Sequence, residues 1–127
     1  MNPEKPENEL VRLLFLRSAD ILDTPAEESY ERIVRIACRV LGFSRCAITL
    51  VDENRVWVKA SKGIRFGELP RDSSFCAYTI PSPDPLLVND ARSDERFRHM
   101  EIVKGDEQLS FHVGCPIRLS PKVRLGS

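Results

Sequence analysis

RCAITLVDENRVWVKAS, Arg45 to Ser61, decides the fold, because here the spacing of apolar residues changes from a helical period to a period of two. Two β-rich runs flank the turn DENR, so the segment reads as an antiparallel hairpin. Simple alternation puts Trp57 and Lys59 on one face and Val56, Val58 and Ala60 on the other.

N-terminal to the hairpin the pattern is helical. TPAE, Thr24 to Glu27, offers a capping threonine, a proline suited to the first helical position and a glutamate that would complete a capping box. The helix it opens is expected to run to Leu41, with Tyr30, Ile33, Val34, Ala37, Val40 and Leu41 as one apolar stripe and Gly42 as a left-handed stop. Further upstream, ELVRLLFLRSADILD (Glu9 to Asp23) is a second helical region with apolar residues on more than one face. Such a helix either packs wholly on its own domain or also covers a partner subunit. Residues 1–8, with two prolines, read as a flexible lead-in.

C-terminal to the hairpin, KGIRFGELPRDS (Lys62 to Ser73) reads as a long surface loop. Ser73 or Ser74 is expected to cap a short helix that PSPDP terminates. PLLVND is a short strand, ARSDERFRHM a short helix with Ser93 as a cap, and LSFHVGCPIRL, Leu109 to Leu119, one strong strand. SPKV is a turn, and VRLGS begins another strand. Helices and mainly antiparallel strands in this order argue an α+β fold.

The chain has 127 residues, the size of one domain with one core. Nineteen basic residues balance nineteen acidic ones, so no global field draws a nucleic acid or an anionic membrane, and neither is expected as a partner. LVRLLFL is broken by Arg12 and NPEKPENE lacks a basic n-region, so neither a membrane span nor a secretory signal is read here, and a cytoplasmic location is expected. Cys38, Cys46, Cys76 and Cys115 include no CxxC pair, which makes a zinc site improbable and reduced, buried thiols the expectation. Neither a phosphate-binding glycine loop nor a Ser-His-Asp elbow is present.

Seven pieces in order, ILDTPAEE, RVLG, ITLVDENRVWVKAS, LPRDSSFCAYTI, PLLVNDA, DERF and GCPIRL, resemble a GAF domain of the bacterial signalling type. The resemblance spans nearly the whole chain, residues 9–127. It implies a GAF-like (PAS-like) central antiparallel sheet of about six strands, long helices on one face and a ligand pocket on the other. It implies no fixed ligand, since fold and function separate. Against the family pattern, the last strand is expected to be cut short and a C-terminal helix missing. A homodimer through the terminal helices, and an output domain such as a histidine kinase or diguanylate cyclase in a longer protein, are implied as partners.

By resemblance the pocket candidates are Trp57, Phe75, Cys76, Thr79, Asp90, Arg96, Phe97 and Phe111, with Phe97 and Phe111 at the floor. Cys76 follows PRDSS, a place where a helix dipole would favour thiolate, so it is either a working thiol or apolar filling, the latter favoured. Asp90 either caps the turn after its strand or accepts hydrogen bonds from a ligand. Arg96 either neutralises a ligand anion or joins Asp94 and Glu95 on a solvated face. The free methionine-R-sulfoxide reductases resemble this chain too, but their nucleophile lies in the loop that here reads ARSDERFRHMEIVKGDEQ, which has no cysteine. Bilin attachment is disfavoured because Ala77, not histidine, follows Cys76, and His99 and His112 read as packed or surface residues rather than haem ligands. No cofactor is required, and a non-catalytic module binding a small molecule, dimerising, or both is the expected function.

Overall fold

The computed structural model describes residues 2–127. Two helices, α1 (Glu9–Ser18) and α2 (Glu28–Leu41), precede the hairpin of β1 (Cys46–Val51) and β2 (Arg55–Lys62). A third strand, β3 (Glu68–Pro70), follows, then a 3-10 turn (Arg71–Ser73), α3 (Cys76–Thr79), β4 (Leu86–Val88), a second 3-10 turn (Ala91–Ser93) and α4 (Glu101–Lys104). Three strands close the chain: β5 (His112–Gly114), β6 (Ile117–Ser120) and β7 (Val123–Gly126). They form a five-stranded sheet in the order β3-β2-β1-β7-β6 and a separate two-stranded sheet of β4 and β5.

This is the α+β fold expected, with the strands divided five and two rather than joined in one sheet of about six. LSFHVGCPIRL accounts for the division. Pro116 has no N–H to give to a ladder, and the run breaks there, so β5 pairs with β4 while β6 pairs with β7. Within KGIRFGELPRDS, the stretch expected to be loop, Glu68–Pro70 adds an edge strand on β2.

The hairpin forms where expected, but with a β-bulge between Ile48 and Thr49 in its pairing. Val58 stands opposite Thr49 and Ala60 opposite Ile48, so Lys59 is the extra residue and Ala60 moves to the face opposite that of Val58. Gly126 is required by close approach: a Cβ there would lie 1.9 Å from the Thr49 carbonyl oxygen on β1.

The helices cover one face of the five-stranded sheet. Leu13 and Leu16 of α1 pack on Leu50 and Leu125, with Trp57 against them. On the opposite face, α3, α4 and the small sheet form a cap around Phe75, Val88, Phe97, Met100 and Val103. Val51, Val56 and Ile80, with Cys76 beside them, join cap to sheet.

α2 begins three residues later than its sequence suggests, and the capping box does not form. Lys59, only 4% exposed, takes the intended capping groups instead. Its Nζ donates to Thr24 Oγ1 at 2.7 Å and to the Pro25 carbonyl at 2.8 Å, and pairs with Glu27 at 2.5 Å. Desolvating an ammonium costs more than a cap contributes, so the lysine wins. At the other end Gly42 stops the helix with φ 75°, as expected. Burial is narrower than the predicted stripe: Val34 and Cys38 are buried, while Ile33, Val40 and Leu41 face outward.

α1 is fastened by charge as well as by leucines. Arg12 is fully buried and donates to Glu9 at 2.9 and 3.1 Å and to the Val51 carbonyl at 2.6 Å. From 62 residues away Arg71 donates to the same carboxylate at 2.8 and 2.9 Å, and to the Asp52 carbonyl at 3.1 Å. Burial alone would raise the Glu9 pKa, but hydrogen bonds and charge from Arg71 and Arg12 outweigh it and bring it down to about 2. In the lead-in, Pro6 is buried and Asn8 donates to the Lys122 carbonyl.

Candidate functional site

A cavity of about 310 Å³ lies between the five-stranded sheet and the cap. Alternation along β1 turns Ala47 and Thr49 into it, and β2 adds Val56. Ser74, Phe75 and Cys76 form the wall at the start of α3, and His112, Val113 and Gly114 the wall on β5. Phe43 and Phe111, with ring centroids 5.7 Å apart, form an aromatic pair on the lining. Among the described residues Arg45 is the one charged side chain of the lining, and it is held by Glu107 through the backbone carbonyl and a 3.8 Å ion pair. Among the described residues no Asp or Glu side chain is on the lining.

The start of α3 is built as expected. Ser74 Oγ accepts from the Ala77 N–H at 3.2 Å and donates to the Arg71 carbonyl at 2.7 Å. Cys76 Sγ lies 3.0 Å from Thr49 Oγ1, whose own proton goes to the Ser127 carbonyl at 3.0 Å, so the thiol is the donor. Burial pushes the Cys76 pKa above the ordinary thiol value, against the lowering by Ser127 and Thr49. The thiolate that a helix dipole would have favoured is not the state this environment selects.

His112 is the unusual wall residue. Its ring stacks on Phe75 with centroids 4.3 Å apart and planes 11° from parallel. Nε2 is sealed from solvent and, among the described residues, has no hydrogen-bond partner. Burial lowers its pKa to about 4, so the imidazole is neutral near pH 7. Gly114 makes room for it: a Cβ there would meet both Nε2 and Thr79 Oγ1 at 2.8 Å.

Of the eight residues singled out in the sequence, Phe75, Cys76 and Phe111 line the cavity together. The other five lie elsewhere. Trp57 packs under the helices, because its parity on β2 is that of Lys59. Thr79 is buried with its hydroxyl given to the Phe75 carbonyl, and Phe97 sits in the cap core, 4.7 Å from the Phe75 ring. Asp90 caps the turn after β4, accepting from the Arg92 N–H at 3.1 Å. Arg96 chelates Asp94 at 3.1 and 2.9 Å and lies over the Phe97 ring.

Sequence reasoning missed Thr49, His112, Cys46 and Cys115 as wall residues. Strand parity was the signal available for Thr49. Nothing local marks His112 and Cys115, whose positions depend on how the cap closes on the sheet, and Cys46 reaches the lining only from the start of β1. Cys76 and Cys115 thus lie on the same lining, whereas the Cys46 thiol, of opposite β1 parity to Ala47 and Thr49, meets Cys38 of α2; all four cysteines are free. Burial raises the Cys46 pKa, and the neighbouring Cys38 raises it further. Among the described residues, no three His, Cys, Asp or Glu side chains form a metal-holding group.

The GAF-domain family model matches residues 25–124. The chain is 33% identical over 125 residues to a cyclic di-GMP phosphodiesterase of Pseudomonas aeruginosa, covering 98% of this chain and 21% of that protein. The GAF domain of a phosphoenolpyruvate-protein phosphotransferase from Coxiella burnetii superposes with a TM-score of 0.63 at 18% identity, over 94% of this chain and 76% of that one. The corresponding domain from Acinetobacter gives 0.59 at 21% identity, over 91% and 73%. Among the described residues no helix is long and apolar enough to cross a membrane. With a family match over most of its length and a sheet, helices and cap arranged as in these structures, the chain belongs to the GAF domain family.

Proposed function

We propose that this chain is a non-catalytic sensory module of a cytoplasmic signalling protein, and that its cavity takes a small, largely apolar molecule. The observation that carries the reading is the cavity of about 310 Å³, walled by aromatic, thiol and hydroxyl groups and, among the described residues, by no acidic side chain. Occupancy would act by population shift, because a ligand biases two arrangements only through its differential affinity for them. A route for that bias is the segment 71–76: Ser74, Phe75 and Cys76 meet the cavity while Arg71 grips Glu9 on α1. α1 presents Leu10, Leu14 and Phe15 to solvent, which suits pairing with α1 of a second copy. The Pseudomonas relative is named for its phosphodiesterase activity, so an output domain that makes or breaks a cyclic dinucleotide, or a histidine kinase, is the partner proposed within a longer protein.

Native mass spectrometry beside a count of thiols labelled under native conditions tests this. The expected result is a dimer mass carrying a small adduct, with Cys76 unlabelled on the timescale that labels the exposed Cys115. A dimer mass without adduct, with the cavity unable to take up any of a panel of small apolar probes, would leave only a ligand-free dimer scaffold.

The presence of Cys76 and Cys115 on one lining favours a second reading, thiol redox chemistry of the methionine sulfoxide reductase type. It requires a thiolate to attack sulfur and a second thiol to resolve the product. Rapid labelling of Cys76 and turnover of free methionine sulfoxide with a thiol reductant would establish it. The raised pKa of Cys76 argues the other way.

A further inference from the structure

The outward face of α2 carries a seam that the fold leaves uncovered. Ser29, Ile33, Ile36 and Val40 follow one another at spacings of four, three and four, the a/d pattern of a coiled coil. Ile33, Ile36 and Val40 are 55%, 54% and 75% exposed. Along one flank of the seam run Arg32, Arg35 and Arg39, and with Lys62 at the end of β2 they line a groove of about 220 Å³ that includes Ile36. Arg35 is paired with Glu28, but among the described residues no carboxylate is paired with Arg32, Arg39 or Lys62. In a chain whose charges balance overall, this is a local excess of three cations, Arg32, Arg39 and Lys62, beside a strip of apolar surface.

We propose that this face docks an amphipathic helix of a partner protein, its apolar seam on Ile33, Ile36 and Val40 and its acidic flank against Arg32, Arg39 and Lys62. The charges select this occupant over two others. With Ile33 and Val40 at a and Ile36 at d, Arg32 and Arg39 occupy g positions and Tyr30 and Ala37 occupy e. A second copy laid antiparallel brings g to g, arginine against arginine. Laid parallel, it brings those arginines to Tyr30 and Ala37, which offer no carboxylate. A helix that lies in a membrane surface is rich in Lys and Arg across its polar face, whereas here the arginines run along one flank and the polar face also carries Glu28 and Glu31. An acidic helix supplies what each side of the seam lacks, and opposite charge along a flank sets partner choice and speeds encounter.

The test uses two fluorescent three-heptad peptides with Ile and Leu at a and d, one with Glu and one with Lys at e and g, titrated by anisotropy against the intact chain. The Glu peptide is expected to bind saturably and more weakly as salt rises, and the Lys peptide not at all. R32E/R39E, both on exposed positions, is expected to melt like the wild type, to lose at least about tenfold in affinity for the Glu peptide and to gain binding of the Lys peptide. Equal binding of both peptides, or of neither, overturns the proposal. So does a concentration-dependent doubling of mass that Ile36→Asp abolishes, which would make a second copy the occupant. Binding to phosphatidylserine vesicles without binding of the Glu peptide would overturn it in favour of a membrane.

Discussion

On the helix side of the sheet, buried charge is matched group for group, whereas on the cavity side one buried polar side-chain atom, among the described residues, has no hydrogen-bond partner. Arg12, Arg71 and Lys59 are each nearly inaccessible and each meets a carboxylate and at least one backbone carbonyl. His112 Nε2 is as well sealed and meets no acceptor or donor among the described residues. A fully satisfied network specifies one packing and resists change. A wall with an unsatisfied group does neither, and that contrast separates the half of this domain held by paired charge from the half that encloses the cavity.

The comparison breaks most visibly at Glu9. Glu9→Ala leaves two buried guanidinium groups facing each other with no anion, and stranded buried charge typically costs about 3–5 kcal/mol. Urea denaturation at pH 7 is expected to show a loss of that size, with α1 exchanging its amide protons faster than β1. An effect under about 1 kcal/mol would mean the cluster is solvated rather than buried. Lys59→Met is expected to cost less, about 2 kcal/mol. What it strands is milder: Glu27 is half exposed and stays hydrated, and only Thr24 and the Pro25 carbonyl lose a buried donor.

That ordering bears on how much was legible in the sequence. Features set within a few residues were readable: the hairpin, the Gly42 stop, the Ser74 cap and the Asp90 turn each rest on local chemistry. Features set by partners far along the chain were not. TPAE is a sound capping box until Lys59, 35 residues on from Thr24, claims it. Nothing near Glu9 announces Arg71, and nothing near Cys115 or His112 announces that the cap will bring them to the cavity. One inserted residue in the hairpin pairing moved Ala60 to the other face, and no alternation pattern encodes a bulge. The site was half legible for the same reason: Phe75 and Cys76 belong to one local motif, while the rest of the wall is assembled by tertiary packing.

His112→Phe sharpens the comparison with the smallest change in stability. A phenyl ring keeps the stack on Phe75 and removes the orphan nitrogen, so at pH 7.5 stability should rise or stay within about 1 kcal/mol of the wild type. The pH dependence is the stronger readout. An unfolded histidine takes up its proton near 6.5 but this one only near 4, so in that interval the unfolded chain binds more protons and stability falls as pH falls. Glu9 acts lower: its carboxylate stabilises fully above its ordinary value of 4.5 and the contribution is lost as pH drops toward about 2. The two faces of the sheet therefore report in adjoining windows. His112→Phe should flatten the upper window and leave the lower one intact, and Glu9→Gln should do the reverse. If His112→Phe left the loss between pH 6.5 and 4 unchanged, Nε2 would have to be reachable by water, and the cavity side would lose the one feature that most distinguishes it from the helix side.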